Sequence, residues 1–275
     1  MQALEGSGIR IAAAVAIFAA TAATLVAVVP PATGGPAALA PDLVTLAISD
    51  SDLAVERSGK RTLLRLTNEI ANRALGPLEV FPGGSANCDG DGDPINDRDA
   101  VQRLFADSNG SGAYEPDADV VGAERRIGCM RYHPAHDHWH VLDVAIYQLR
   151  DEATGALAAR SRKVGFCLTD TRQVFPGVGS PAQPHYPLGS AKPPGCDPDS
   201  TQGISAGWAD TYRLTLPGQD LDVSDLDRGR YCLSSTADPL GLLEERVEAN
   251  NQRRVRIALR PRKLRVRKLG GGCRA

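Results

Sequence analysis

Four of the five histidines in the chain fall within eight residues, His133-Pro-Ala-His136-Asp137-His138-Trp139-His140. Imidazole nitrogen is the commonest protein ligand for copper, zinc and non-haem iron. Side chains at alternate positions of a strand leave the same face. The spacing therefore predicts a metal site made of His136, His138 and His140. On a flat strand the outer two would stand about 13 Å apart at their Cα atoms, too far to share one ion. The segment is therefore expected to be bent, bulged or strongly twisted, and Pro134 agrees with irregular backbone. His133 is off the even-numbered face and is read as a supporting or structural residue. His185, alone in a Pro-rich stretch, is read as incidental. The imidazoles by themselves leave copper, zinc and iron open.

A second group offers oxygen. Asp89-Gly-Asp91-Gly-Asp93-Pro-Ile-Asn96-Asp97-Arg-Asp99 places carboxylates at alternate positions, and Asp107-Ser-Asn109-Gly-Ser111-Gly112 repeats the theme. Hard oxygen ligands with turn-making glycines suit calcium, and the segment resembles D-x-D-x-D-G calcium loops. The glutamate that closes an EF-hand is absent, since Ala100 and Ala118 stand there. A stabilising calcium ion held by Asp89, Asp91 and Asp93 is expected.

These groups need a scaffold. The chain has 275 residues, 42% of them hydrophobic, enough for one domain of moderate size with a substantial core. Past residue 41 the pattern is one of short alternating runs with turn signals between them: Leu43–Ile48, Leu63–Ile70, Leu78–Phe81, Val141–Leu149, Ala158–Leu168, Tyr231–Ser235 and Arg253–Leu259. Glu152–Ala156 reads as a hairpin turn. Only Asp99–Ala106 reads as helix. The expected fold is mainly β, an antiparallel β-sandwich with long loops and little helix. Residues 1–40 are expected to be an export signal or membrane anchor with a linker, 41–262 the β domain, and 263–275 a basic tail.

The formal net charge of −2 hides a strong asymmetry. Residues 253–274 carry ten Arg or Lys and no acid, whereas residues 85–119 carry nine acids. The near-neutral total argues against a dedicated nucleic-acid binder, and the basic end is read as a solvated, partly mobile terminus. The apolar run Ile11–Val29, with Arg10 ahead of it and Pro30-Pro31 behind, has the form of an export segment, cleaved or retained as an anchor. Either outcome places the domain outside the cytoplasm, secreted or at the cell surface. All six cysteines follow that run. With no C-x-x-C pair they read as three disulfides. The expected pairing is Cys88–Cys129, Cys167–Cys196 and Cys232–Cys273, although sequence alone does not choose among the alternatives.

The histidine run resembles the copper-binding motif of the lysyl oxidase family. Two further segments match that family in order. Lys163-Val-Gly-Phe-Cys167-Leu-Thr-Asp170 is similar to its K-x-x-F-C-L-x-D segment, and Gln202-Gly-Ile-Ser-Ala-Gly-Trp-Ala-Asp210-Thr211-Tyr212 to its Q-G-[IL]-S-x-G-x-x-D-T-Y segment. Asp222-Val-Ser-Asp225, Gly229-Arg-Tyr231 and Glu248-Ala-Asn250-Asn251 extend the similarity over roughly residues 125–260. The resemblance, to a bacterial-type member, implies a copper amine oxidase with His136, His138 and His140 as copper ligands. It also implies a lysine tyrosylquinone cofactor made from Lys163 and Tyr212. The partners would be a primary amine, peptidyl lysine among the candidates, and dioxygen; the products would be an aldehyde, ammonia and hydrogen peroxide. Asp210, two residues before Tyr212, is the first candidate for the base, with Asp137 and Asp143 as alternatives. The cysteines that surround the tyrosine in animal members are replaced here by Trp208-Ala209, and Ala135 stands where those members have cysteine. The partner of Cys167 is then expected further along, at Cys196. Two other readings use the same residues: a non-catalytic calcium-binding extracellular β-sandwich module, and a histidine-ligated metalloenzyme without a quinone.

Overall fold

A computed structural model describes residues 37–88, 96–134, 138–162, 164–177, 179–187 and 201–273. Strands dominate them. The first half contains β1 (Ala38–Leu39), β2 (Leu43–Thr45), β3 (Leu53–Ser58), β4 (Arg61–Leu66), β5 (Asn68–Asn72), β6 (Leu78–Ser85), β7 (Asp97–Ala106), β8 (Val120–His133) and β9 (His138–Asp151). The second contains β10 (Leu157–Arg160), β11 (Val164–Phe166), β12 (Arg172–Gln173), β13 (Gln202–Ile204), β14 (Trp208–Tyr212), β15 (Asp220–Asp222), β16 (Gly229–Ala237), β17 (Gln252–Arg260) and β18 (Arg265–Lys268). Helical structure among the described residues is limited to short 3-10 turns at Asp50–Asp52, Glu248–Asn250 and Pro261–Lys263.

The main sheet runs β13-β6-β7-β8-β9-β16-β17-β18, with β1 also on β7 and both β10 and β11 on β9. Two smaller sheets, β12-β14-β5-β2 and β15-β4-β3, complete the fold. One buried cluster joins all three: Leu43 and Ile70 come from the second sheet, Leu64, Leu66 and Leu221 from the third, and Met130, Tyr147, Leu149, Leu233 and Ile257 from the main one. The antiparallel sandwich expected from the alternating runs is the fold observed. Burying each such side chain contributes about 1.5–3 kcal/mol, so the shared core holds the sheets against one another.

β9 is the spine. Val141 pairs with Met130 on one edge and Phe166 on the other, and Ala145 pairs with Ala237 and Val164 in the same way. Between these pairs β11 shifts register, and Asp143 takes a left-handed φ of 62°. This is a bulge at residues 142–144, after the histidines, whereas the bend expected between His136 and His140 falls partly on residues 135–137, outside the described ones.

Three sequence expectations change. Asp99–Ala106 is not a helix but most of β7, a strand paired on both edges with β6 and β8. Ala100, Gln102 and Leu104 are buried while Val101 and Arg103 are only partly so, a period of two that pairing on both sides rewards over local helix propensity. Leu63–Ile70 is not one strand: the chain changes sheet at Thr67, β4 pairing with β3 and β15, and β5 with β2 and β14. At the C-terminal end, residues 265–268 of the basic stretch form β18 on β17, and Cys273 is bonded to Cys232.

Cys88–Cys129 forms as expected. Cys167 is also disulfide-bonded, while the expected partner Cys196 lies outside the described residues. The apolar run 11–29 lies outside them as well. Among the described residues no helix is long and apolar enough to cross a membrane.

Candidate active site

β8 and β9 are antiparallel neighbours whose ladder ends with His133 opposite His138, Tyr132 opposite Trp139 and Arg131 opposite His140. Directly opposed residues share a face. His133 therefore lies on the face of His138 and His140, contrary to the odd–even reading, because the chain reverses direction between 133 and 138 and parity starts afresh. Its ring stacks on that of His140, centroids 5.1 Å apart. Trp139 points the other way into the core, edge-on to Tyr132 at 5.5 Å. This alternation fixes the two histidines on the opposite, half-buried face. Their Nε2 atoms approach to 3.0 Å. Two nitrogens at that separation, each about 2 Å from one ion, subtend about 95° at it, an angle open to tetragonal and distorted tetrahedral sites. His138 and His140 thus fit two positions of one coordination sphere. His136 and Asp137 lie outside the described residues, as does Lys163, immediately before β11.

The segment beside the histidine strand holds the tyrosine. Phe166 pairs with Val141, the residue after His140. The Tyr212 ring stacks on Phe166 with centroids 3.9 Å apart, and its hydroxyl donates to the Cys167 carbonyl at 2.5 Å. The phenol thus ends one residue past the strand partner of Val141. Tyr212 comes from β14 in another sheet, where it faces Asn68 of β5.

Gln202 couples the two. It is fully buried, and its amide nitrogen donates to the Trp139 carbonyl at 2.7 Å, while its amide oxygen accepts from the Leu168 N–H at 3.1 Å. The peptide between the two histidines is thereby tied to the residue after Cys167. Asp170 anchors the end of that segment by accepting from the N–H groups of His185, Tyr186 and Ser205 and from the Ser205 hydroxyl. Glycine at 203 lets this pass, because a Cβ there would stand 2.3 Å from the Leu78 oxygen and 2.7 Å from the Tyr186 ring. His185 rests against Tyr114 and Tyr186.

Asp210, two residues before Tyr212 on β14, shares its face and is almost fully buried. Burial, foremost, holds its carboxyl well above the ordinary carboxylate range, and Asp170 adds to this while the Thr169 N–H opposes it. Burial also pushes the Tyr212 phenol well up, with Asp210 next. Tyr147, fully buried nearby, donates to the Gln219 side chain at 2.6 Å and is raised likewise. Asp143, the other described candidate base, occupies the bulge.

In the sequence Gln202 and Asp170 are letters of the two matching segments with no role attached to them, and nothing singles out Tyr147. Their most distant partners are 63, 35 and 72 residues away, and no local pattern marks such contacts. The proposed calcium ligands Asp89, Asp91 and Asp93 lie outside the described residues. In the following acidic loop, Asp107 accepts from the Gly112 N–H and Asp119 from those of Ser108 and Glu115, so these carboxylates close the turn. Away from the histidines, Asp238, Glu245 and Glu248 gather with oxygens within 4.8 Å of one another, and burial raises Glu245 to about 7.

The family model described as Lysyl oxidase matches residues 117–268, more than half of the chain. Lysyl oxidase homolog 1 of Homo sapiens is 32% identical over 127 residues, 46% of this chain and 20% of that protein. Protein-lysine 6-oxidase of Sus scrofa is 31% identical over 127 residues, 46% of this chain and 45% of that protein. The chain therefore aligns with less than half the length of these relatives. With the histidine hairpin, the Phe166–Asp170 segment and the Gln202–Tyr212 stretch all inside the matched region, the chain belongs to the lysyl oxidase family.

Proposed function

We propose that the chain is an extracytoplasmic copper amine oxidase. It would convert a primary amine, dioxygen and water to an aldehyde, ammonia and hydrogen peroxide. The observation that carries this reading is the 3.0 Å approach of the His138 and His140 Nε2 atoms on a strand whose neighbour holds the Tyr212 hydroxyl. His136, His138 and His140 would hold the metal. Bound copper would supply the oxidation of the Tyr212 ring, and the lysine tyrosylquinone completed by Lys163 would supply the carbonyl and the electron sink for amine oxidation.

The remaining work falls to side chains of this protein. Phe166 and the Cys167 carbonyl hold the Tyr212 ring and hydroxyl, so the phenol is fixed before any chemistry. Gln202 keeps the backbone of the histidine pair in register with that segment. Asp210, raised by burial, would take the proton from the carbon next to the substrate nitrogen. Disulfide bonds persist in oxidising compartments, which supports a secreted or cell-surface location along with the expected export run.

Metal analysis, a redox stain for protein-bound quinone and peroxide release with primary amines test the reading on the purified full chain. Copper should be present in the native protein and lost from His138→Ala and His140→Ala. Quinone should vanish in Lys163→Ala and Tyr212→Phe while copper stays. Copper-loaded protein with neither quinone nor peroxide release from any primary amine would sink it.

A further inference from the structure

At the far end of β9 from the histidines, the outer face of the main sheet is crowded with arginine. In β17, Val255, Ile257 and Leu259 are buried, so Arg254, Arg256, Ala258 and Arg260 face outward. The ladder sets Arg260 directly opposite Arg265, and Ala258 between Arg230 of β16 and Arg267 of β18. Arg228 precedes β16, and Arg262 and Lys263 form the turn between β17 and β18. All of these cations except Arg256 are exposed. Arg256 is held by Glu152. Among the described residues none of Arg228, Arg230, Arg260, Lys263, Arg265 and Arg267 makes an ion pair. Like charges directly opposite one another weaken a sheet, so the Arg260–Arg265 pair is a local cost that the fold itself does not offset.

The face is hollowed. Two depressions, about 290 and about 510 Å³, adjoin one another and share Arg228 and Arg260 as lining residues. Ala258 and Leu269, both half-buried, line the second beside Gly229, so a small apolar floor lies between the cationic side chains. Asp227 is the lone acid among the lining residues. This end is also held in place: β18 is hydrogen-bonded to β17 and the terminal segment is tied to β16 through Cys232–Cys273.

We infer that this trough binds a linear anionic polysaccharide bearing sulfate or phosphate esters. Guanidinium groups in fixed positions pair with such oxyanions bidentately. An apolar floor accepts the faces of sugar rings, which a bare inorganic anion would leave uncovered. A concave cationic channel also concentrates an anionic chain from solution. The site is remote from the histidine pair, roughly 30 Å along β9 at the rise of a strand, and the inference stands whether or not the chain oxidises amines.

The test uses the folded full chain with dextran sulfate, phosphorylated dextran and unmodified dextran, measured by calorimetry. Binding of either charged polymer, with none of neutral dextran, is expected; the arm that binds more tightly identifies the ester. With about four ester contacts, raising salt from about 50 to about 200 mM should weaken binding roughly fifty-fold. Arg260→Glu with Arg265→Glu and Arg267→Glu should lower affinity at least about tenfold at an unchanged melting temperature. Arg260→Gln with Arg265→Gln and Arg267→Gln, which adds no acid, should fall between the two. Equal binding by the wild type and both triple variants would overturn the inference. So would binding of phosphatidylglycerol vesicles or duplex DNA through these arginines with no binding of either charged dextran.

Discussion

Replacing Gln202 with leucine removes the amide that joins the histidine strand to the tyrosine-bearing segment while keeping similar bulk. Its donor leaves the Trp139 carbonyl and its acceptor leaves the Leu168 N–H, both in the core. Each buried group left without a partner costs about 1–3 kcal/mol, so Q202L should lose roughly 3 kcal/mol. For a chain of this size about 2–4 °C accompanies each kcal/mol, giving a melting temperature roughly 6–12 °C lower in metal-free protein. A second readout separates positioning from mere stability. If Gln202 sets where the His138–His140 peptide lies, copper affinity measured well below the melting transition should fall about tenfold. A Q202L protein that melts within about 2 °C of wild type and binds copper equally well would refute the reasoning.

Four further outcomes follow from the same structure. Glu245 is raised from 4.5 to about 7 by burial, and Asp238 and Glu248 are raised too, so between those pH values the folded state keeps protons that the unfolded chain has released. Stability in chelated buffer should therefore fall as pH rises from about 5 to about 7 and level off above, and E245Q should flatten that slope in denaturant titrations. Cys232→Ser, opening a bridge that spans 41 residues, should cost about 4 kcal/mol and free β18 to exchange its amide hydrogens faster. Gly203→Ala should cost at least about 2 kcal/mol, seen as a lowered denaturation midpoint, because its new Cβ meets backbone rather than a flexible chain end. If Asp89, Asp91 and Asp93 hold calcium, millimolar calcium should raise the melting temperature of wild type, and Asp91→Asn with Asp93→Asn should remove that increment.

How far the sequence could be read follows the range of the interactions involved. Period-two runs such as Tyr231–Ser235 and Arg253–Leu259 became parts of β16 and β17, because alternation is a local consequence of burying one face. Asp99–Ala106 misled because its local composition suits a helix, and only pairing with β6 and β8, remote in sequence, decides for a strand. His138 and His140 could be paired by counting, since both lie on one strand. His133 could not, because its face depends on where the chain reverses. Tyr212 became meaningful through a family motif. No composition rule would have set it against Phe166 and the Cys167 carbonyl, contacts that cross from one sheet to another. Gln202 and Asp170 illustrate the same limit: a buried polar residue announces its partners only once the backbone groups it satisfies have been brought beside it.

β18 closes the main sheet, and a terminal strand offers a row of backbone groups to any passing strand of another molecule. Its Arg265, Arg267 and Lys268 act as gatekeepers through repulsion, while the Lys268 N–H is already taken by Asp50. Neutralising those gatekeepers removes the repulsion, so light scattering should register self-association of R265Q/R267Q/K268Q at concentrations where wild type stays monodisperse; no difference between the two would show that the Asp50 contact alone guards the edge.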